Sequence, residues 1–193
     1  MLQLVTVSGA NGSGTTMLSH YLAEHCGFNS IETYTTRSRL PHGASLREFV
    51  CVSNQEFERR RIEGEFLLTT STYGTSYGVL RRSIGKAFIR QDGPSFINIP
   101  FEWVDEIAVF AGYTAPRLMA SIYLLSPKQQ VLQGRLRERG DSFEKIKERI
   151  RQSILGDQRA QSPRDLHIEF LSNDGTPEEL FAKTRIVLDL PKS

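Results

Sequence analysis

The sequence predicts an α/β fold, a three-layer sandwich built on a parallel sheet, and three observations carry that reading. A short apolar run, Leu2 to Val7, leads straight into the glycine-rich stretch Ser8-Gly9-Ala10-Asn11-Gly12-Ser13-Gly14-Thr15-Thr16. Helix-period segments then alternate with further short buried-strand runs near 95–99, 121–125 and 167–171. Strands that alternate with helices along a chain place a parallel sheet between two helical layers. With 193 residues, 39% hydrophobic and 24% charged, the chain fills one good core and leaves little for a second full domain.

Each element follows from its local chemistry. Leu2 to Val7 reads as a buried parallel strand that delivers its end to a ligand. Thr15 to about Cys26 reads as a helix stopped by Gly27, and 31–52 as short strands or an extended flap. Ser53 with Glu56 forms a capping box that opens a short helix closed by Gly64. The insert that follows, through Glu65-Phe66-Leu67-Leu68 to Tyr77-Gly78, is expected to be a small mobile lobe. Val79 to Arg90 is expected to be helical, Asp92-Gly93 a turn, and Ser95 to Ile99 a buried strand ended by Pro100. A helix from Glu102 to Ala111 precedes the strand Ser121 to Leu125. Ser126 is then read as the cap of a helix with Pro127 at its first position, running through Leu132, Arg135, Leu136 and Arg139 to Gly140. Asp141 with Glu144 is read as starting the next helix, whose core stripe is Ile146, Ile150 and Ile154. A strand at His167 to Leu171, a turn at Asn173-Asp174-Gly175 and a helix capped at Thr176 complete the chain.

The stretch from Gly9 to Thr16 has the spacing of a phosphate loop, in which glycines turn backbone N–H groups toward a phosphate, a Lys reaches the outer phosphates and a final hydroxyl holds Mg²⁺. Gly9, Gly14 and Thr16 fit that pattern, and Thr15 stands at the Lys position, making it a degenerate Walker A motif. A threonine hydroxyl donates one hydrogen bond but carries no charge and reaches less far than an ammonium group.

The charge balance, 24 basic against 22 acidic residues, argues against a general polyanion binder, so no nucleic-acid partner is expected. No apolar run reaches the length of a membrane span, and the chain enters its first strand almost at once, so no membrane association or signal peptide is expected. Cys26 and Cys51 lack metal-ligand spacing and are read as buried thiols suited to a reducing cytoplasm. His20, His25, His42 and His167 show no paired metal spacing and are read as surface or packing residues. Lys86 is the one lysine noted as a substitute cation for the loop, with solvent exposure its expected fate.

Several separated stretches agree with one family. They are the loop Gly9 to Thr16, Tyr34-Thr35-Thr36-Arg37, Phe49 with Cys51-Val52-Ser53, Glu56-Phe57-Glu58, Glu65-Phe66, Gly74 with Tyr77-Gly78, Ser126-Pro127, Arg135-Leu136 with Arg139-Gly140, Arg149, and Asn173-Asp174. In that order and spacing the chain resembles the guanylate kinase family over nearly its whole length. The resemblance implies a P-loop NTPase core at 1–32 and 79–193, a small lobe for a nucleoside monophosphate (NMP) at about 33–78, and a helical lid at about 135–150. It implies that Gly9, Asn11, Gly12, Ser13, Gly14, Thr15 and Thr16 bind nucleotide phosphate, with Thr16 on Mg²⁺. It also implies that Arg135, Arg139 and Arg149 neutralise the transferred group, that Thr33, Arg37 and Tyr77 hold the acceptor, and that Asn173 lies on the adenine side.

The chain departs from the family pattern at charged positions. The second phosphate arginine aligns with Leu40 unless Arg39 takes its place, Phe49 replaces a tyrosine, and Asn98 replaces a metal-side Asp. Leu68 and Pro100 stand where the guanine-reading acids are expected. Losing such an acceptor leaves a buried N–H edge unpaired at roughly 1–3 kcal/mol each. Two readings follow from the resemblance. One is an ATP- and Mg²⁺-dependent phosphotransferase of altered acceptor, without ordinary GMP kinase activity. The other is a non-catalytic guanylate kinase-like module that binds a nucleotide, a phosphopeptide or a protein partner.

Overall fold

A computed structural model describes residues 2–10, 12–38, 48–72, 74–112 and 118–191; Asn11, Arg39, Leu40 and His42 lie outside them. The opening apolar run folds as strand β1 (Leu4–Gly9), and the glycine-rich turn leads into helix α1 (Thr15–His25). The chain continues through β2 (Asn29–Ser30), β3 (Thr33–Thr35), β4 (Phe49–Cys51), α2 (Asn54–Ile62), β5 (Phe66–Thr72) and β6 (Thr75–Leu80). It then forms α3 (Arg81–Ile89), β7 (Ser95–Asn98), α4 (Val104–Phe110), β8 (Met119–Leu125), α5 (Gln129–Glu138), α6 (Phe143–Ala160), β9 (Glu169–Ser172) and α7 (Pro177–Val187).

The central sheet is parallel throughout, in the order β2-β7-β1-β8-β9. Its alternating side chains divide the core in two, because successive residues of a strand point to opposite faces. Val5, Val7, Phe96, Ile122 and Leu124 pack with Leu18 and Leu22 of α1 and Leu180 of α7. Leu4, Ile97 and Tyr123 pack on the other face with Ile84 of α3 and Ile107 of α4. The predicted three-layer α/β sandwich is therefore the observed one. Thr6 is also buried, and its hydroxyl donates to Ser121 Oγ at 2.9 Å across the β1–β8 pair, so the inward polar group keeps a partner.

A second sheet, in the order β4-β3-β6-β5, is built from the segment between β2 and α3. It pairs β3 with β4 in parallel, and β3 with β6 and β5 with β6 antiparallel. Tyr34, Phe57, Phe66 and Leu80 form its own small core, with the rings of Phe57 and Phe66 stacked 4.7 Å apart. The expected cap of α2 is present: Ser53 Oγ accepts the Glu56 N–H at 3.1 Å. Thr176 likewise accepts the Glu179 N–H at 3.3 Å and starts α7, with Pro177 at its first turn.

Several expectations need correction. Val79 and Leu80 end strand β6 and do not begin the helix, because Val79 pairs with Leu68 and Leu80 with Phe66. Ser126 does not cap α5, which starts at Gln129; the Ser126 N–H is held by the Asp157 carboxylate at 3.1 Å, and the Lys128 N–H donates to Asp174 Oδ1 at 2.6 Å. Asp141 does not cap α6 either: its carboxylate pairs with Arg149 at 3.2 Å, leaving Ser142 as the flanking residue. Ile146 is buried and Ile150 packs beside it, but Ile154 is exposed. Cys51 is exposed and Cys26 half-buried, so neither is a fully buried thiol. The two-residue edge strand β2 had no sequence signal of its own. Among the described residues no helix is long and apolar enough to cross a membrane.

Candidate functional site

The glycine-rich turn sits where β1 ends, at the carboxyl edge of the central sheet, the edge at which parallel α/β sheets bind ligands. It folds back on itself through the Ser13 N–H, which donates to the Ala10 carbonyl at 3.1 Å, and passes into α1 at Gly14. Gly12 and Gly14 have φ of +84° and +106°, a region costly for any residue with a side chain. Space is missing as well: a Cβ on Gly12 would lie 2.6 Å from Leu132 Cδ1, and one on Gly14 would collide with Asn173 Nδ2. Gly14→Ala is therefore expected to destabilise the fold by about 1–3 kcal/mol. Urea unfolding should show this as a lower midpoint at unchanged slope.

The turn is clamped from behind by residues from distant parts of the chain. Asn173, only 2% exposed, donates from Nδ2 to the Ser13 carbonyl at 2.7 Å. Arg135 donates from Nη1 to the Gly12 carbonyl at 3.2 Å and from Nη2 to the Asn173 carbonyl at 3.0 Å. Burial, which disfavours its charged form, pushes the Arg135 pKa below the usual guanidinium value, and the nearby Asp174 carboxylate offsets part of that effect. Both side chains hold the loop's rear, and neither belongs to the lining of the cavity in front of it.

That cavity encloses about 830 Å³. The loop glycines with Thr15 and Thr16 form its floor, and Arg37, Arg139 and Arg149 converge on it from other elements. The α1 N-terminus adds the positive end of the helix dipole and its unpaired N–H groups. Arg139 is exposed just past α5, and Arg149 is held by Asp141. Ser13 Oγ is buried at the loop with no hydrogen-bond partner among the described residues, and Ser13 does not line the cavity. Thr16 lines this cavity with a hydroxyl able to join phosphate oxygens around a Mg²⁺ ion, while Asn98, which lines the adjoining cavity, is an amide where a charged metal-side group was expected.

A second cavity, of about 520 Å³, adjoins the first and shares Gly9 and Arg37 with it. Thr33 from β3, Tyr77 from β6 and Pro100 after β7 all line it. The structure thus brings Thr33, Arg37 and Tyr77 together although they span two strands and a loop. Lys86 is exposed on α3 and lines a separate cavity with Asn29 and Ser30, so it does not stand in for the missing lysine.

Sequence reasoning missed some of the lining. His20, Tyr21 and His25 form the α1 wall of the first cavity, and the three-to-four-residue spacing from Met17 onward was the available signal. Thr70, Thr75 and Trp103 of the second cavity were also missed. Thr70 lies two residues beyond Leu68 and so shares its face of β5.

The chain is similar to known proteins in sequence and in fold. A family model described as guanylate kinase matches residues 1–174. The chain is 27% identical over 143 residues to a guanylate kinase of Bartonella quintana (strain Toulouse), covering 74% of this chain and 62% of that relative's length. It is 30% identical over 157 residues to a guanylate kinase of Chlamydia felis (strain Fe/C-56), covering 79% of this chain and 73% of the relative. Among solved structures, guanylate kinase from Anaplasma phagocytophilum superposes with a TM-score of 0.62 at 16% identity, covering 100% of this chain and 87% of that one, a likeness of fold.

Proposed function

The chain belongs to the guanylate kinase family, and from that premise we propose that it binds the polyphosphate of ATP at the loop and transfers the γ-phosphoryl group to a phosphate-bearing acceptor other than GMP. The observation that carries this reading is the junction of the two cavities: Gly9 and Arg37 line both, so a donor phosphate over the loop and an acceptor phosphate beside it meet at one guanidinium. Residues 33–78 then serve as the acceptor lobe and 135–150 as the lid.

In the proposed reaction an acceptor phosphate oxygen attacks the γ-phosphorus, the β–γ bridging bond breaks, and ADP leaves with the electron pair. Positioning and charge neutralisation supply the acceleration, and no general base is required. Backbone N–H groups from Gly12 to Thr16 hold the donor phosphates. Arg139 and Arg149 neutralise charge on the transferred group, and Arg37 with Tyr77 holds the acceptor phosphate. Mg²⁺, when bound by Thr16 and the nucleotide, neutralises further charge on the phosphates. Arg135 is assigned to positioning, since both of its hydrogen bonds go to carbonyls behind the loop. Asn173, implied by the resemblance to lie on the adenine side, is assigned here to holding the loop through its hydrogen bond to the Ser13 carbonyl.

A second reading, a non-catalytic module for a nucleotide, phosphopeptide or protein partner, is favoured by one feature: Thr15 and Asn98 remove charge at both the phosphate and metal positions. Phosphotransfer assays with ATP or GTP against a panel of monophosphates, run beside calorimetric titration of ATP, separate the two. Turnover on a non-GMP acceptor is the expected result. ATP binding without turnover leaves the module reading, and silent ATP and monophosphate titrations leave a protein-interaction role alone. A cytoplasmic location is part of the proposal and accords with free Cys26 and Cys51.

A further inference from the structure

We propose that the acceptor is a nucleoside monophosphate with a uracil-type ring, whose edge presents carbonyl oxygens and no exocyclic amino group. The inference rests on the reading above that the second cavity takes the acceptor. Strand register sets the chemistry of that cavity. Tyr77 lies opposite Thr35 on one side and Thr70 on the other, while Val79 lies opposite Leu68. Because alternate residues share a face, Leu68 and Val79 occupy the row beneath Thr70 and Tyr77. Leu68, 6% exposed, and Val79, 0% exposed, pack there with Ile97, Ile99 and Trp103. The position aligned with a guanine-reading acid is thus a core position in this chain, and the cavity wall at that strand is a threonine.

Apart from Arg37, assigned above to the acceptor phosphate, the recognition surface is consequently neutral. Thr33, Thr70 and Thr75 offer hydroxyls, Phe49 and Trp103 offer ring surfaces, and no carboxylate lines the cavity among the described residues. Aromatic surfaces suit a flat ring better than a bare sugar. Every threonine hydroxyl carries one proton to donate and lone pairs to accept, so three of them can serve an edge of two carbonyl oxygens and one N–H. Uracil presents two carbonyl oxygens and one N–H. Guanine presents one carbonyl, an N–H and an amino group, and adenine an amino group and ring nitrogens. Each amino group adds two protons that must find acceptors, a load carried elsewhere by carboxylates and left here to hydroxyls and the Asn98 amide, and a site that leaves such protons unpaired rejects the ligand.

The test uses the full chain and equilibrium titrations of UMP, GMP, AMP and ribose 5-phosphate, each alone, with ATP titrated separately. UMP is expected to bind at least about tenfold more tightly than the other three monophosphates. Thr70→Val is expected to erase most of that preference while retaining the β-branched shape, with thermal unfolding confirming that it folds. GMP or AMP binding as tightly as UMP overturns the proposal, as does ribose 5-phosphate matching UMP. Silence of all four monophosphates while ATP binds also overturns it and leaves the donor-site reading standing. Silence of ATP as well overturns both.

Discussion

Arg37→Ala is expected to weaken binding of a phosphate monoester by roughly 10- to 100-fold, the loss of charge-assisted hydrogen bonds worth about 1.5–3 kcal/mol. ATP binding should weaken with it, because Arg37 lines the donor cavity as well as the acceptor cavity. Stability should change by no more than about 0.5 kcal/mol, as expected of a surface substitution. The side chain is exposed, and the local turn is held by the backbone N–H of Arg37, which donates to Thr35 Oγ1 at 3.1 Å and survives the change. Calorimetric titration paired with thermal unfolding checks both halves. Arg37→Lys should restore only part of the affinity, since an ammonium group cannot make the two parallel bonds of a guanidinium fork. Unchanged affinity for both ligands in the alanine variant would remove Arg37 from the site.

Thr15→Lys is expected to act in the opposite direction, tightening ATP by roughly 10- to 100-fold through a new charged donor at the phosphates. Thr15 is half-buried on the cavity floor at the first position of α1, where a longer side chain extends into the cavity and not into packed core. Phosphoryl transfer should rise in the same variant, because a charged donor fixed at the outer phosphates stabilises the charge that develops on the phosphoryl and leaving oxygens in the transition state. Steady-state assays against the monophosphate panel measure this. A lysine variant that binds ATP no better than the natural chain would show that the loop does not grip the outer phosphates. Tighter binding with no gain in transfer would place the remaining deficit at the acceptor or metal side, where Asn98 stands.

Much of the loop and its surroundings was legible because the signals are local. Gly14, which the pattern calls for, has positive φ, as does Gly12 within the loop, and Ser53 and Thr176 accept the N–H groups that their spacing assigns to them. Ser126 and Asp141 show the limit of the same rule. Each has a capping residue type in a capping position, yet the Ser126 N–H is bound by Asp157 and the Asp141 carboxylate by Arg149, partners 31 and 8 residues away. A side chain's choice between a local backbone group and a distant charge depends on which lies nearer in space, and spacing along the chain does not contain that distance.

By itself, the amino-acid sequence determined the layered α/β architecture, the phosphate-loop turn, the glycines that permit it and the charges absent from it. These rest on periodicity, propensity and backbone sterics, all of which act within a few residues. Tertiary structure alone decided the existence of β2, a two-residue strand that pairs with β7. It also decided that Arg135 and Asn173 turn to the back of the loop, that Arg37 is shared by two cavities, and that Leu68 belongs to the core while Thr70 faces the ligand space. In each case the deciding contact joins segments far apart in the chain, and its energy exists only once the sheet has brought them together.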